Sequence, residues 1–511
     1  MKEYEQQFGV VVTKNIEQVG REDNLLHVPL PIFYCFFNRR LMGKNCCVCM
    51  VVLAISLICM IDAMATNSGE LIFKAAESSN MGAVSDAIKG KSVDVNAADE
   101  QGKTLLMYAA QSGNEQLVRY LISKGADVRK GQPNLWDPGQ DITVLYYAAL
   151  DGNKSLVKYL IEEEKLDPRV TMLMRKDEFA SSALSNAAAS SSKELAEYLF
   201  SQIPKQDVPV MLPQALNQAG MKRDREMINY LLSVDSATVS ALKYALERAG
   251  AGREKDDLDF AAWLLNKGVN PNLPVRYGNS GECCALDTAC RNGDREMAEL
   301  LLSFGADVNI SLIGHVNYTP LRSAAQSGNL DLVKFLISKG ARINQDSSEH
   351  ESVLSFAAKS GNNEVVQFFI DNGVPLKGDS CLVEAICSRK KETVDYLLAA
   401  GADVNAAGFF NENPLFAAVK VNDPDIVRLL LKKGAAIDAK NLDGQTVMWP
   451  VVESAASTGD FSIMKYLISR KADLKARDNR GNSLLGFADT RLNRQPYYEQ
   501  LKHRLERAGA K

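Results

Sequence analysis

The sequence predicts an all-α fold, a solenoid of about 13 stacked helix-turn-helix units, and three observations predict it. Residues 104–128 and 319–343 align without a gap over 25 positions, although 215 residues separate them. An alanine opens the same short motif at positions 75, 109, 148, 187, 219, 245, 289, 324, 357, 385, 417, 455 and 488. From Ala75 to Ala488 this is 413 residues in twelve steps, a mean step near 34. Within each step two short apolar stripes recur at helical spacing, so one unit is a helix pair that cannot cover its own apolar face. Neighbouring units must therefore stack.

One unit shows how the pair is written. Thr319 is a side-chain cap for orphan amides, and Pro320 fits the first helical position, where no donor is needed. Leu321, Ala324 and Ala325 form the first buried stripe, and Gly328 ends the helix in a backbone region that glycine enters cheaply. Leu332, Val333, Phe335, Leu336 and Ile337 give the second helix a wide apolar face, and Gly340 ends it.

The frame T-P-L-x-x-A-A-x-x-G-x-x-x-x-V-x-x-L-[LI]-x-x-G-A-x-[VI]-N resembles the ankyrin repeat, and its tandem matches extend over residues 69–511, terminal capping units included. The histidine usual after the frame's leucine is absent: Met107, Asp287, Arg322 and Val383 stand there, so its hydrogen bonds must be replaced or forgone. The units at Ala187, Ala219 and Ala245 are the most degenerate but keep second-helix endings, which predicts one continuous array. Four residues, Trp449 to Val452, are extra in the unit of Ala455, with Trp449 read as filler for a distorted turn.

The resemblance implies hairpin-like fingers between units, and four are enlarged: 129–142, 272–282, 309–318 and 405–413. They carry Trp136, Tyr277, His315, Tyr318, Phe409 and Phe410, large groups on connectors and so candidate protein-binding residues. The expected function is a non-catalytic scaffold that binds protein partners by its finger edge and inner helices, as a monomer and without cofactor or metal.

Composition is consistent with that. At 511 residues, 46% hydrophobic and 24% charged, with a formal charge of −4 and pI near 5.8, the chain has no electrostatic footprint for nucleic acid. Its four histidines, His27, His315, His350 and His503, include no pair at metal-binding helical spacing. Glycines follow the repeat turns and make no phosphate loop, and the serine-rich run 180–192 has no histidine near it in the frame. Beyond residue 65 there are five cysteines, Cys283, Cys284, Cys290, Cys381 and Cys387, read as structural thiols. An enzyme would have to hide its site in the degenerate stretch 171–279, where no titratable cluster breaks the frame.

The N-terminus reads as an address. Residues 1–41 show no period and form an unstructured extension, untranslated if synthesis starts at Met42. Residues 42–65 combine a positive start, an apolar run over 46–61 and Ala63-Met64-Ala65, the small residues a signal peptidase reads, with Ala63 and Ala65 as the cleavage determinants. Sixteen apolar residues span about 24 Å, short of a bilayer core of about 30 Å. The array is thus expected in the periplasm or outside the cell, in an exported bacterial protein. The alternatives are an uncleaved anchor over 46–61 with the repeats exported, and a secreted effector that binds host proteins.

Overall fold

The computed structural model describes residues 70–133, 142–169, 171–174, 179–252, 254–276, 281–311, 319–343, 352–376, 380–406, 408 and 413–510. Backbone contacts divide the chain into two units, one of Met1–Ala75 with Asn80–Asp94, the other of Ala76–Ser79 with Val95–Lys511. In the first, the helix Met81–Lys89 is N-capped by Asn80, whose Oδ1 accepts the Ala83 amide at 3.1 Å.

The second unit holds twelve helix pairs among the described residues, from Leu105–Gln111 with Glu115–Ser123 to Leu484–Arg491 with Tyr498–Arg507. The helix over 70–77, followed by Met81–Lys89, is a thirteenth pair in chain order. First helices pack consecutively against one another through the array. Their alanines explain the close approach: Ala109, Ala148, Ala187, Ala219, Ala289, Ala324 and Ala357 are wholly buried. Second helices bury a narrower set, such as Leu117, Val118 and Leu121, or Leu332, Val333 and Leu336.

Turn chemistry keeps this spacing. Four residues after the frame alanine the backbone enters the left-handed region, at Ser79, Gly113, Gly152, Ser191, Arg223, Gly293, Gly328, Gly361, Arg389 and Gly459, with φ between 57° and 84°. The very next residue often caps the second helix and also ties the units together. Asn153 accepts the Leu156 amide at 3.0 Å and donates to the Gly113 carbonyl of the preceding unit at 2.9 Å. Asn329 repeats this with Leu332 and Gly293, at 3.1 and 2.9 Å.

The asparagine that closes the frame makes a second clasp. Asn309 donates to the Gly340 carbonyl and accepts the Arg342 amide, both at 2.9 Å. Asn272 does the same with Gly305 and Asp307, at 2.9 and 2.7 Å. One side chain thus satisfies two backbone groups that a helix end leaves orphaned.

The degenerate stretch stays in the stack, since the helices Ala183–Ala189, Val208–Met221, Lys243–Ala249 and Ala285–Arg291 pack in succession. Two frame positions need correction. Asn422 has φ 55° and corresponds to Gly328, which makes Ala418, not Ala417, the frame alanine of its unit. In the next case a 3₁₀ turn, Ser236–Leu242, delays the first helix. A Cβ at Gly220, directly after Ala219, would meet Ala245 at 2.8 Å; one at Gly250 would meet the Ala285 carbonyl at 2.7 Å. Gly250 therefore stands where Gly220 does, and Ala249, not Ala245, is that unit's frame alanine.

Between units the described finger segments are short antiparallel pairings: Thr171–Met174 with Phe179–Ser182, Val275–Arg276 with Glu282–Cys283, and single bridges Gln132–Ile142 and Arg477–Ser483. The strand pair ending at Ser182 is a finger that was not among the four expected to be enlarged. Residues 449–452 are not a distorted turn but lie in the eleven-residue helix Met448–Thr458, with Trp449 only 1% exposed as its filler. Among the described residues no helix is long and apolar enough to cross a membrane.

Candidate binding surface and buried polar groups

The six finger residues expected to contact partners, Trp136, Tyr277, His315, Tyr318, Phe409 and Phe410, lie outside the described residues, as do Ala63, Ala65 and the apolar run 46–61. What the structure does bring together lies beside the fingers, on the first helices. Two groups of polar side chains were not singled out from sequence.

The first surrounds Lys103. The bridge between Ala98 and Thr104 sets the chain, and Thr104 caps the helix in a reciprocal box with Met107, whose sulfur faces the Thr104 amide at 3.5 Å. Met107 thereby replaces one bond of the missing histidine. The Lys103 ammonium stands 3.9 Å from the Tyr108 ring centre and 4.5 Å from that of Tyr147, and it reaches Gln111. Tyr108 donates its hydroxyl to Asp99 at 2.7 Å, and Tyr147 donates to Gln132 at the base of the finger. Burial lowers the Lys103 pKa, against the opposing fields of Glu77 and Asp99. Burial, then Asp99, raises that of Tyr108, and burial pushes Tyr147 up to about 12. Both phenols stay protonated near neutrality and act as donors and as cation-facing rings.

The second group is a pair of buried carboxylates. Glu247 accepts the Thr288 hydroxyl at 2.8 Å, with the Cys283 sulfur 3.7 Å from the same oxygen. One unit on, Asp287 accepts from Ser323 and from Arg291. The two occupy equivalent places, each bonded by a hydroxyl of the following unit, so Glu247 and Asp287 both fill the slot of the absent histidine. Arg322 fills it next, 4% exposed, with its guanidinium 5.9 Å from the Phe356 ring centre. Burial raises the Asp287 pKa, and Arg291 and Ser323 oppose that rise.

The described cysteines follow the structural reading in part. Burial raises Cys290 well above the ordinary thiol value and pushes Cys283 and Cys284 up to about 12; for Cys283, Glu247 adds to the rise. A thiol held protonated is a poor nucleophile. Cys381 is buried, whereas Cys387 is exposed, and all five are free of disulfides. Among the described residues no group of three His, Cys, Asp or Glu side chains is placed to hold a metal ion.

Second helices present a different surface. Eleven residues after the frame alanine stand Tyr120, Tyr159, Tyr198, Tyr230, Phe335, Phe368, Tyr396 and Tyr466, and Trp263 takes the same place in the unit with the longer turn. Most receive a cation from the preceding unit. Arg119 lies 3.6 Å from the Tyr159 ring centre, Arg225 5.4 Å from Trp263, Arg295 5.0 Å from Phe335 and Arg428 5.7 Å from Tyr466. This row engages itself.

Models of ankyrin repeats in three copies match residues 48–132, 251–347, 321–408 and 406–478, and a many-copy model matches 106–161. Together they cover 48–161 and 251–478, or 114 and 228 residues of 511, about two thirds. The chain belongs to the ankyrin-repeat family. The matched segments leave 162–250 uncovered, where this ankyrin array nevertheless continues its helix pairs, and the first begins at 48, inside the apolar run 46–61.

Among curated relatives, human transient receptor potential cation channel subfamily A member 1 is 31% identical over 206 residues, 37% of this chain and 18% of that protein. The ADP-ribosylation factor GTPase-activating protein AGD2 of Arabidopsis thaliana is 37% identical over 97 residues, 18% of this chain and 12% of that protein. This ankyrin chain thus spans less than a fifth of either. A solved human ASB11 ankyrin repeat domain is 26% identical and matches 44% of this chain and 96% of that one, with a TM-score of 0.34.

Proposed function

We propose that this ankyrin-repeat chain is a non-catalytic scaffold that binds protein partners through its first helices and fingers. One observation carries the reading: the two helix rows differ in what they turn outward. Most second-helix aromatics meet cations of their own chain, at 3.6 Å for Tyr159 and 5.0 Å for Phe335. The first-helix row directs Arg248, Arg291 and Lys420 outward, all exposed, at the C-terminal ends of their helices. A rigid row of helices flanked by loops is a surface on which binding residues are commonly carried.

A photo-reactive amino acid at Gln326, on the first-helix row, compared with one at Glu299, on the exposed side of a second helix, tests this. Partner adducts should form from Gln326 in clear excess. Equal yield from both positions, or an excess from Glu299, rejects the reading.

The place of action is proposed as the periplasm or the cell exterior, supported by the charged start, apolar run and Ala63-Met64-Ala65 of residues 42–65. N-terminal sequencing of the mature chain tests it. A start after Ala65 is expected. A retained 46–61 in a membrane fraction would favour the anchor, and a retained 46–61 in a soluble intracellular fraction would reject export.

A further inference from the structure

What a partner must present to the first-helix row follows from the charge laid along it. Two residues after the frame alanine, the N-terminal units carry Glu77, Gln111, Leu150, Ala189 and Met221, none of them basic. The same position further on carries Arg291, Gln326, Lys359, Cys387 and Lys420. In the unit of Ala249 that position is Ala251, and Arg248, three residues earlier, is the exposed cation of this helix end.

The acids of these helices are turned inward. Asp287 is wholly buried, Glu247 is 8% exposed and the Glu384 side chain 16%. The cations lie outside them: the Arg291 side chain is 44% exposed and that of Lys359 30%. Asp287 braces Arg291 from below, and Glu384 holds Lys359 at 3.2 Å. The outward face of the row is therefore basic in a chain whose formal charge is −4. Its sign is opposite to that of the molecule, so it would steer an anionic partner to this face.

We propose that the first-helix row from Arg248 to Lys420 docks an acidic, extended segment of a partner protein, an inference that rests on the scaffold reading above. Spacing favours a peptide over nucleic acid. Packed helices are about 10 Å apart, so four steps from Arg291 to Lys420 span about 40 Å. An extended peptide covers that in about a dozen residues. A duplex would present one phosphate charge per about 1.7 Å, far denser than one cation per unit or two.

The test uses the full chain and a fluorescein-labelled oligoglutamate of about a dozen residues, read by anisotropy at low salt. The variant Arg248→Gln/Lys359→Gln/Lys420→Gln should weaken binding by about tenfold, as expected for three ionic contacts at the surface. Arg291 is left in place, because its loss would strand the Asp287 carboxylate. The control Lys154→Gln/Lys432→Gln/Lys465→Gln removes three exposed cations from second helices and should keep wild-type affinity. Equal losses in both variants, no oligoglutamate binding by the wild type, or tighter binding of oligothymidylate than of oligoglutamate each overturns the proposal. Sequencing the peptides cross-linked at Gln326 separates the two readings. Adducts whose sequences are neutral or basic overturn the acidic partner and leave the scaffold standing, whereas equal adduct yield from Gln326 and Glu299 removes the scaffold itself.

Discussion

The two helix rows of one array solve the stacking problem with opposite chemistry. First helices meet through alanines and place their polar groups in the contact; Asp287, Ser323 and Thr288 are all buried there. Second helices meet through large rings and long cations at the rim, where water competes. The contrast teaches that tight rows are specific and unforgiving, while loose rows are redundant. In a close-packed interior an added methylene must displace neighbours, whereas a half-exposed ring can shift.

The sharpest way to break the comparison is to add volume to the tight row. Ala289→Leu, at a fully buried frame position, should destabilise by about 3 kcal/mol or more, from overpacking that two neighbouring helices cannot relieve. Tyr198→Leu in the second row, half-exposed, should change stability by under about 1 kcal/mol. Thermal melts of the two variants decide: comparable shifts would show that the rows are equally tolerant.

A buried charge separates the rows next. The folded-state pKa of Asp287 is raised above its unfolded value by burial, so the native chain holds a proton more tightly than the unfolded one. This contribution costs stability above the folded pKa, and the cost fades as pH falls through that value toward the unfolded one near 3.8. Asp287→Asn keeps the shape, removes the charge and should raise the melting temperature at neutral pH while flattening its pH dependence on the acid side. Arg291→Gln should do the reverse at neutral pH, by about 1–3 kcal/mol, because it strands the carboxylate. Unchanged melting of both variants would mean that water, not protein, solvates Asp287.

The loose row should give less. Arg119→Ala removes the guanidinium 3.6 Å from the Tyr159 ring and two exposed ion pairs, to Glu115 and Glu163. The loss should be smaller than that of Arg291→Gln, and smaller still at high salt.

How far these differences could be read beforehand depends on which are local. The cap at Thr319, the stripe Leu321–Ala324–Ala325 and the left-handed Gly328 follow from short-range preferences and stand as expected. The frame asparagines were visible as letters, but their clasps join atoms 31–35 residues apart and need the stack to exist. Register failed where local cues misled. In PLFAA the alanine pair sits one place early, and the 3₁₀ turn Ser236–Leu242 delays a helix whose Ala245 and Ala249 are both buried. Glu247 could then not be matched to Asp287, though both share the vacated histidine slot. The Lys103 group left no local signal, because Tyr108 and Tyr147 come together only across units.

The smallest effect probes the turn both rows share. Four residues after the frame alanine the left-handed position is usually glycine, yet Arg389 holds it with φ 57°. A side chain there costs roughly 1–2 kcal/mol relative to an ordinary conformation. Arg389→Gly relieves that strain but gives the unfolded chain more freedom, a loss of about 0.4–1 kcal/mol. The net gain should be a few tenths of a kcal/mol. The converse change at the equivalent turn, Gly328→Ala, meets the strain without the compensation, and its added Cβ would sit 3.3 Å from the Ser360 Cβ of the next unit. It should destabilise by about 1 kcal/mol. If Arg389→Gly instead destabilises as much as Gly328→Ala does, then the Arg389 side chain, not the backbone, holds that turn.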